Sequence, residues 1–263
     1  MKMTAGTLAE YLDATAEVSQ GHAAAPPELM HLVHEMDAVF HREFFNRPLE
    51  LTPVAALLAI NAYTALLGAV REALSGHVVL VFPVARAALE SACYAFLVSQ
   101  DETRADIWLN RHRSTDDLKA CRNVFVVDKA IKILQPFQPV MAEYVRGMYD
   151  ASIDYGAHPN PLSVLSHIEA TGPEGNDEFG FSLTGVQGCN SWHVNRELLV
   201  CVETGQAVAF LIAASVADHP FLNERAQDFE DWMAGKNQMA ESFNGAPIKY
   251  VGPMYASVRP PTS

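Results

Sequence analysis

The sequence predicts an all-α fold: a multi-helix bundle with a short β-hairpin or loop insertion before a long apolar helix. Three observations lead there. Apolar residues recur at helical spacing through most of the chain. The stretch His77–Ser99, HVVLVFPVARAALESACYAFLVS, is apolar on every side apart from Arg86 and Glu90. Ser191–Ala217 forms a second long apolar segment. A helix that is hydrophobic all round is a buried one, so His77–Ser99 is expected at the centre. Arg86 and Glu90 stand four residues apart, hence on one helix face. Buried charges persist only when paired or put to use, so the two are read as an ion pair in or near the core.

In chain order, Leu8, Tyr11, Leu12 and Val18 give a first amphipathic helix over about 5–19, and GHAAAPP follows as a linker. Pro27 suits the first turn of a second helix, about 27–45, with Leu29, Leu32, Val33, Met36, Phe40 and Phe44 as its core stripe. Asn46-Arg47-Pro48 ends it. Thr52-Pro53 reads as an N-cap followed by proline at the first helical position, opening a helix to about Leu74. Ser75-Gly76 turns the chain into the central helix. Pro83 there predicts a kink near Val79–Phe82, or a helix that starts at that point. Ser99 with Glu102 matches a capping box, so another helix runs from about 100 to Lys119 and continues, bent, through Cys121–Leu134. A further helix covers about 138–154, with Val140, Tyr144, Val145, Met148 and Ser152 inward. Ala157–Asn190 is the insertion, rich in Gly, Pro, Asn and Ser; Phe179, Phe181 and Leu183 alternate as in a strand, and Val164–Glu169 is the candidate hairpin partner. In the helix from Ser191, Gly205 and Ala209 allow close packing; Asn223–Ser242 closes a single domain over 1–243, leaving a Pro/Gly-rich tail at 244–263.

Composition sets limits on function. The 263 residues are 49% hydrophobic and carry a net charge of −13. A chain of that sign does not attract nucleic acid as a whole, and its densest basic run, Arg111-His112-Arg113, is interleaved with acids. The start has no apolar h-region, and Cys93, Cys121, Cys189 and Cys201 show no pairing pattern, which suits a reducing compartment. Val54–Val70, the longest uncharged run, is at the short limit for a membrane span and contains Asn61, Tyr63 and Thr64. A soluble cytoplasmic protein, with neither membrane nor nucleic acid as partner, is the expectation.

Several residue groups could carry chemistry. Arg86 can bind an anionic group, carboxylate or phosphate, with Glu90 orienting it; the structural alternative is an ion pair that holds two helices in register. In Asp154-Tyr155-Gly156-Ala157-His158-Pro159-Asn160-Pro161 a helix stops and a proline-stiffened segment begins, placing His158 as a general base and Asn160 as a rigidly held polar partner, or simply making a turn. Glu203, the only charge in Leu198–Val216, is a candidate partner for Arg86 or for Arg196. Glu28-x-x-His31 has the spacing of bundle di-iron sites, but the motif occurs once where such sites need it twice, so neither metal nor cofactor is expected. Arg71 and His77 fit the Arg-then-His spacing of the HEPN superfamily of helical ribonucleases and nucleotide-binding domains.

PVARAALESACYAF, the later YGAHPNPLS and the insertion before a long apolar helix together resemble a group of uncharacterised bacterial all-helical proteins, over about Val54–Ala217. Those proteins carry an Arg-x-x-x-Glu helix and a downstream Ser- or Gly-x-x-His segment and are distantly HEPN-like. The resemblance implies Arg86, Glu90 and His158 as the positions that matter and brings no substrate with it.

Three functions are compatible with these residues. The first is a polar pocket of Arg86, Glu90 and His158, joined by Asn160 and Glu203, that binds a small anionic ligand. As an enzyme it would run metal-independent acid/base hydrolysis, with His158 as base and Arg86 stabilising charge. The second is a structural or interaction protein, a homodimer, in which Arg86–Glu90 only fixes helix register. The third is HEPN-like RNA cleavage at Arg71 and His77, which the acidic net charge opposes.

Overall fold

The chain, seen in a computed structural model, is described at residues 6–157, 159, 161, 164, 168–173, 179–183 and 185–245. It is all-helical in architecture. The helices are α1 (Leu8–Ala24), α2 (Met30–Phe40), α3 (Pro53–Leu74), α4 (Val81–Gln100), α5 (Thr103–Leu109), α6 (Thr115–Val124), α7 (Val127–Leu134), α8 (Pro139–Ser152), α9 (Trp192–Ala214) and α10 (Ala226–Asn244). Two helices run on into π-helical turns: α2 into His41–Phe45 and α8 into Ile153–Ala157. Ile168–Pro173 and Phe179–Leu183 are placed as two short strands in antiparallel register, Ile168 opposite Leu183. Nothing in the site below draws on them.

The core is a stack of α3, α4 and α9, with α2 and α8 against α9. Every residue of α9 from Val194 to Ala213 is buried, so it is the helix with no water-facing side. Small residues permit the approach. A Cβ on Gly205 would collide with the Met36 sulfur on α2 and stand 3.2 Å from Leu66 Cδ2 on α3. Local chemistry sets the helix starts where side chains cap them: Thr52 accepts from the Ala55 amide ahead of Pro53, and Ser191 accepts from the Val194 amide. The break expected at Pro83 lies just before it, where a 3₁₀ turn, Val78–Leu80, leads into α4.

Several sequence expectations are corrected. Helix α1 runs on to Ala24 through the supposed linker, burying His22, whose Nδ1 lies 2.7 Å from the Leu74 carbonyl. Its expected inward residues Leu8 and Leu12 are 72% and 54% exposed, while Val18 and His22 on its later turns are buried. The long bent helix after Gln100 is three short ones, and Ser99 makes no capping box: its hydroxyl donates back to the Phe96 carbonyl. Val140, expected inward, is 76% exposed at the first turn of α8.

The cytoplasmic expectation does not stand either. Pro53–Leu74, Val78–Gln100 and Trp192–Ala214 are each long and apolar enough, by length and composition, to cross a membrane, and the first two pack against each other. From the sequence, Val54–Val70 alone stands out as a candidate span, and its three polar side chains argue against it. A helix enclosed by protein needs the same composition as one enclosed by lipid, so the composition of these helices names no compartment.

The Gly205 contact makes a signed prediction. Helix propensity alone favours alanine over glycine by about 1 kcal/mol, yet Gly205→Ala should destabilise the fold by about 1–3 kcal/mol through overpacking against Met36. Urea unfolding of the variant decides it, and a gain in stability would show that α2 can move away from α9.

Candidate functional site

The residues singled out from the sequence do not converge on one centre. Arg86, on the face of α4 that meets α8, donates from Nε to Glu90 at 2.8 Å and from Nη2 to the Tyr149 hydroxyl at 3.1 Å, with its guanidinium 4.9 Å above the Tyr149 ring. The pair is half-buried, Arg86 22% and Glu90 31% exposed, rather than sealed in the core. Burial would lower the guanidinium's pKa, but Glu90 and then Tyr149 outweigh it and hold it above its ordinary value. Tyr149 was not singled out from the sequence, where one tyrosine in an amphipathic helix gives no signal. His158 and Asn160 lie outside the described residues.

Glu203 is elsewhere. It is fully buried on α9 and accepts from Lys236 Nζ on α10 at 2.8 Å, with Lys236 also fully buried. Neither expected partner, Arg86 nor Arg196, is the one it pairs with. The Lys236 ammonium stands 5.8 Å from the Tyr144 ring, and Tyr144 donates to Gln206 at 3.3 Å, so one turn of α9 gathers polar groups from α8 and α10. The sequence hid Lys236 inside a helix that reads as polar all along.

A third cluster sits at the N-terminal end of α9, where the insertion returns to the bundle. Arg196 donates to Glu197 at 3.0 Å and lies 5.2 Å over Tyr155 and 5.6 Å over Trp192. Tyr155 stacks on Phe82 at 5.4 Å, and Gly156 is close enough to α4 that a Cβ there would meet Phe82 and Pro83 at 2.6 Å. The π turn after α8 makes that approach possible, and such turns recur at functional sites. Glu197 is buried, and its Oε2 has no hydrogen-bond partner among the described residues. Burial pushes its carboxyl up to about 7 against the opposing pull of Arg196. The same burial, and then Glu197, push the Cys201 thiol up.

A fourth cluster surrounds Glu43, which the π turn His41–Phe45 directs inward. Its fully buried carboxylate accepts from Arg42 Nε at 2.8 Å, from Arg47 Nη1 at 3.1 Å and from both Nη atoms of Arg225. Burial alone would raise this carboxyl; the guanidiniums of Arg225 and Arg42 hold it below the usual range. Of the remaining candidates, Arg71 is exposed beside a cavity of about 280 Å³ that Tyr11 also lines, and His77 Nδ1 stands 2.7 Å from the Tyr11 hydroxyl and 3.4 Å from Glu72. Among the described residues no group of three His, Cys, Asp or Glu could hold a metal ion. No family model matches the chain, and no curated protein or solved structure does.

Two predictions come from the buried carboxylates. Lys236→Met removes the ammonium that Glu203 accepts from inside the core and should cost about 3–5 kcal/mol, whereas Glu203→Leu with Lys236→Met should recover most of that loss. A double-mutant cycle by denaturant unfolding measures both. For Glu197, a folded-state value of about 7 against an ordinary 4.5 means that the native state binds the proton more tightly. Its contribution is complete below pH about 4.5 and is lost as the pH rises through about 7. Measured as a difference, Glu197→Gln should therefore gain on the wild type steadily from pH about 4.5 to about 7, with a flat difference on either side.

Proposed function

We propose that the chain is a helical association protein that forms a homodimer through the outer face of α3, with Arg86–Glu90–Tyr149 holding α8 in register on α4. One observation carries this reading. Leu57, Ile60, Thr64 and Leu67 are all exposed, the three aliphatic side chains at 59%, 52% and 41%. They follow one another at steps of three, four and three residues, which is the spacing of a heptad seam whose knobs fit a facing helix.

The seam also favours an orientation. Its four positions are symmetric about residue 62, so an antiparallel two-fold sets Leu57 against the partner's Leu67 and Ile60 against the partner's Thr64. A parallel pair would bring Arg71, the next seam position, against the partner's Arg71, and facing like charges destabilise. The contact is isologous, as a two-fold dimer requires. Two short seams bury less than the standard interface of about 1,600 Å², so dissociation in roughly the micromolar range is expected. The Arg86 guanidinium has its partners within the fold, which supports a register role for the pair over a ligand-facing one.

Light scattering on eluted peaks tests the reading. Leu67→Glu should convert the dimer to a monomer while changing folding stability by no more than about 0.5 kcal/mol, because the side chain is exposed. Adding Leu57→Lys to Leu67→Glu should restore the dimer if the helices run antiparallel, and leave a monomer if they run parallel. A wild type that is monomeric at all concentrations, with Leu67→Glu abolishing attachment to lipid vesicles instead, would overturn the proposal.

A further inference from the structure

Beyond self-association, we infer a binding site for a medium-chain carboxylate in the groove between the π turn His41–Phe45 and the start of α3. The groove is a cavity of about 200 Å³ walled by Phe45, Leu49, Leu51, Ala56 and Ile60, with Ile212 of α9 also lining it. Arg47 is the one polar residue in that lining among the described residues. Such a site, apolar with a single placed cation, is the usual form of a small-molecule pocket. Phe45 is 38% exposed, which is where an aliphatic ligand would remove apolar surface from water.

The free edge of one guanidinium selects the head group. Arg42, Arg47 and Arg225 converge on the single carboxylate of Glu43, and Asp228 and Glu224 also act on Arg225, so the formal charges of the cluster balance. Arg225 occupies both Glu43 oxygens. Arg47 reaches Glu43 through Nη1 alone, so among the described residues its Nε and Nη2 have no acceptor. That free guanidinium edge carries two N–H donors side by side, the fork that a carboxylate fits bidentately. That edge, set in the wall of an oily groove, matches an anionic head on an aliphatic tail. An apolar cavity of about 150 Å³ is known to take benzene, so this one takes a tail of roughly six to eight carbons. The ligand class is therefore a free medium-chain carboxylate rather than a two-chain lipid.

Calorimetric titration with octanoate, octanol and octylammonium tests the assignment, in the wild type and in the Leu67→Glu background, so that the result stands apart from dimer formation. Octanoate is expected to bind at least about 10-fold more tightly than octanol, with octylammonium weaker still. Across butanoate to dodecanoate the affinity should rise about 4-fold per methylene and level off near eight carbons, where the groove is full. Arg47→Gln should bring octanoate down to the level of octanol and leave octanol unchanged. Ala56→Phe, which fills the groove and leaves the arginines in place, should abolish both. Equal affinity for octanoate and octanol, a rise with chain length that never levels, or full binding by a folded Ala56→Phe variant would each overturn the inference.

Discussion

The structure is organised by the enclosure of α9. With every residue from Val194 to Ala213 buried, each polar group on that helix must be answered by a neighbour, since a buried charge left alone costs several kcal/mol. Glu203 obliges α10 to deliver Lys236, and Gln206 accepts from Tyr144 on α8. Asn195 accepts from the amide of Leu29 and so fixes the entry to α2. Gly205 lets Met36 and Leu66 close over it. The neighbours are thus placed by specific polar demands and by one missing side chain, while hydrophobic burial supplies the general driving force.

The two π turns show how local irregularity serves the clusters. A π turn inserts one residue into the helical repeat and rotates the residues after it. After α2 it leaves Arg42 and Phe45 exposed while Glu43 and Phe44 are buried. After α8 it carries Tyr155 between Phe82 and the Arg196 guanidinium. In both places an arginine guanidinium lies among aromatic residues.

Helical periodicity and proline placement made much of the bundle legible in the sequence. Leu29, Leu32, Val33, Met36, Phe40 and Phe44 are all buried as their spacing demands, and Arg86 meets Glu90 because both lie on one helix. What the sequence withheld were partners from distant elements. Lys236 lies 33 residues from Glu203 in the chain, on a helix whose polar surroundings gave no reason to bury a lysine. Glu197 drew no attention in the sequence; its buried Oε2, without a hydrogen-bond partner among the described residues, exists only once α9 is enclosed. Glu43 falls on the inward stripe, seven residues from Met36, but nothing in its sequence surroundings announced Arg225, 182 residues away, as the partner that buries it. The His158 and Asn160 part of the sequence-based site falls on residues that the structure does not describe.

Hydropathy measures how apolar a helix is and not on which side. Helices α3 and α9 have nearly the same mean hydropathy over their most apolar windows, 1.7 and 1.6, yet 44% of the first window is buried against 94% of the second. For α9 the surrounding protein accounts for the composition in full. For α3 it accounts for one face only: Ala55, Leu58, Ala59, Ala62, Leu66 and Ala69 are inward, while Leu57, Ile60 and Leu67 face out. Large exposed aliphatic side chains scattered singly need no explanation, but a row in register does. A bilayer would demand apolarity all round the exposed surface and is indifferent to spacing, whereas a facing helix demands residues at alternating steps of three and four. The outward residues meet the second requirement, and Asn61 and Thr64 among them satisfy their donors within the fold, on the Ser91 hydroxyl and the Ile60 carbonyl. The spacing of the α3 surplus is what supports the proposed helix partner, while its length and composition alone also suit a membrane span.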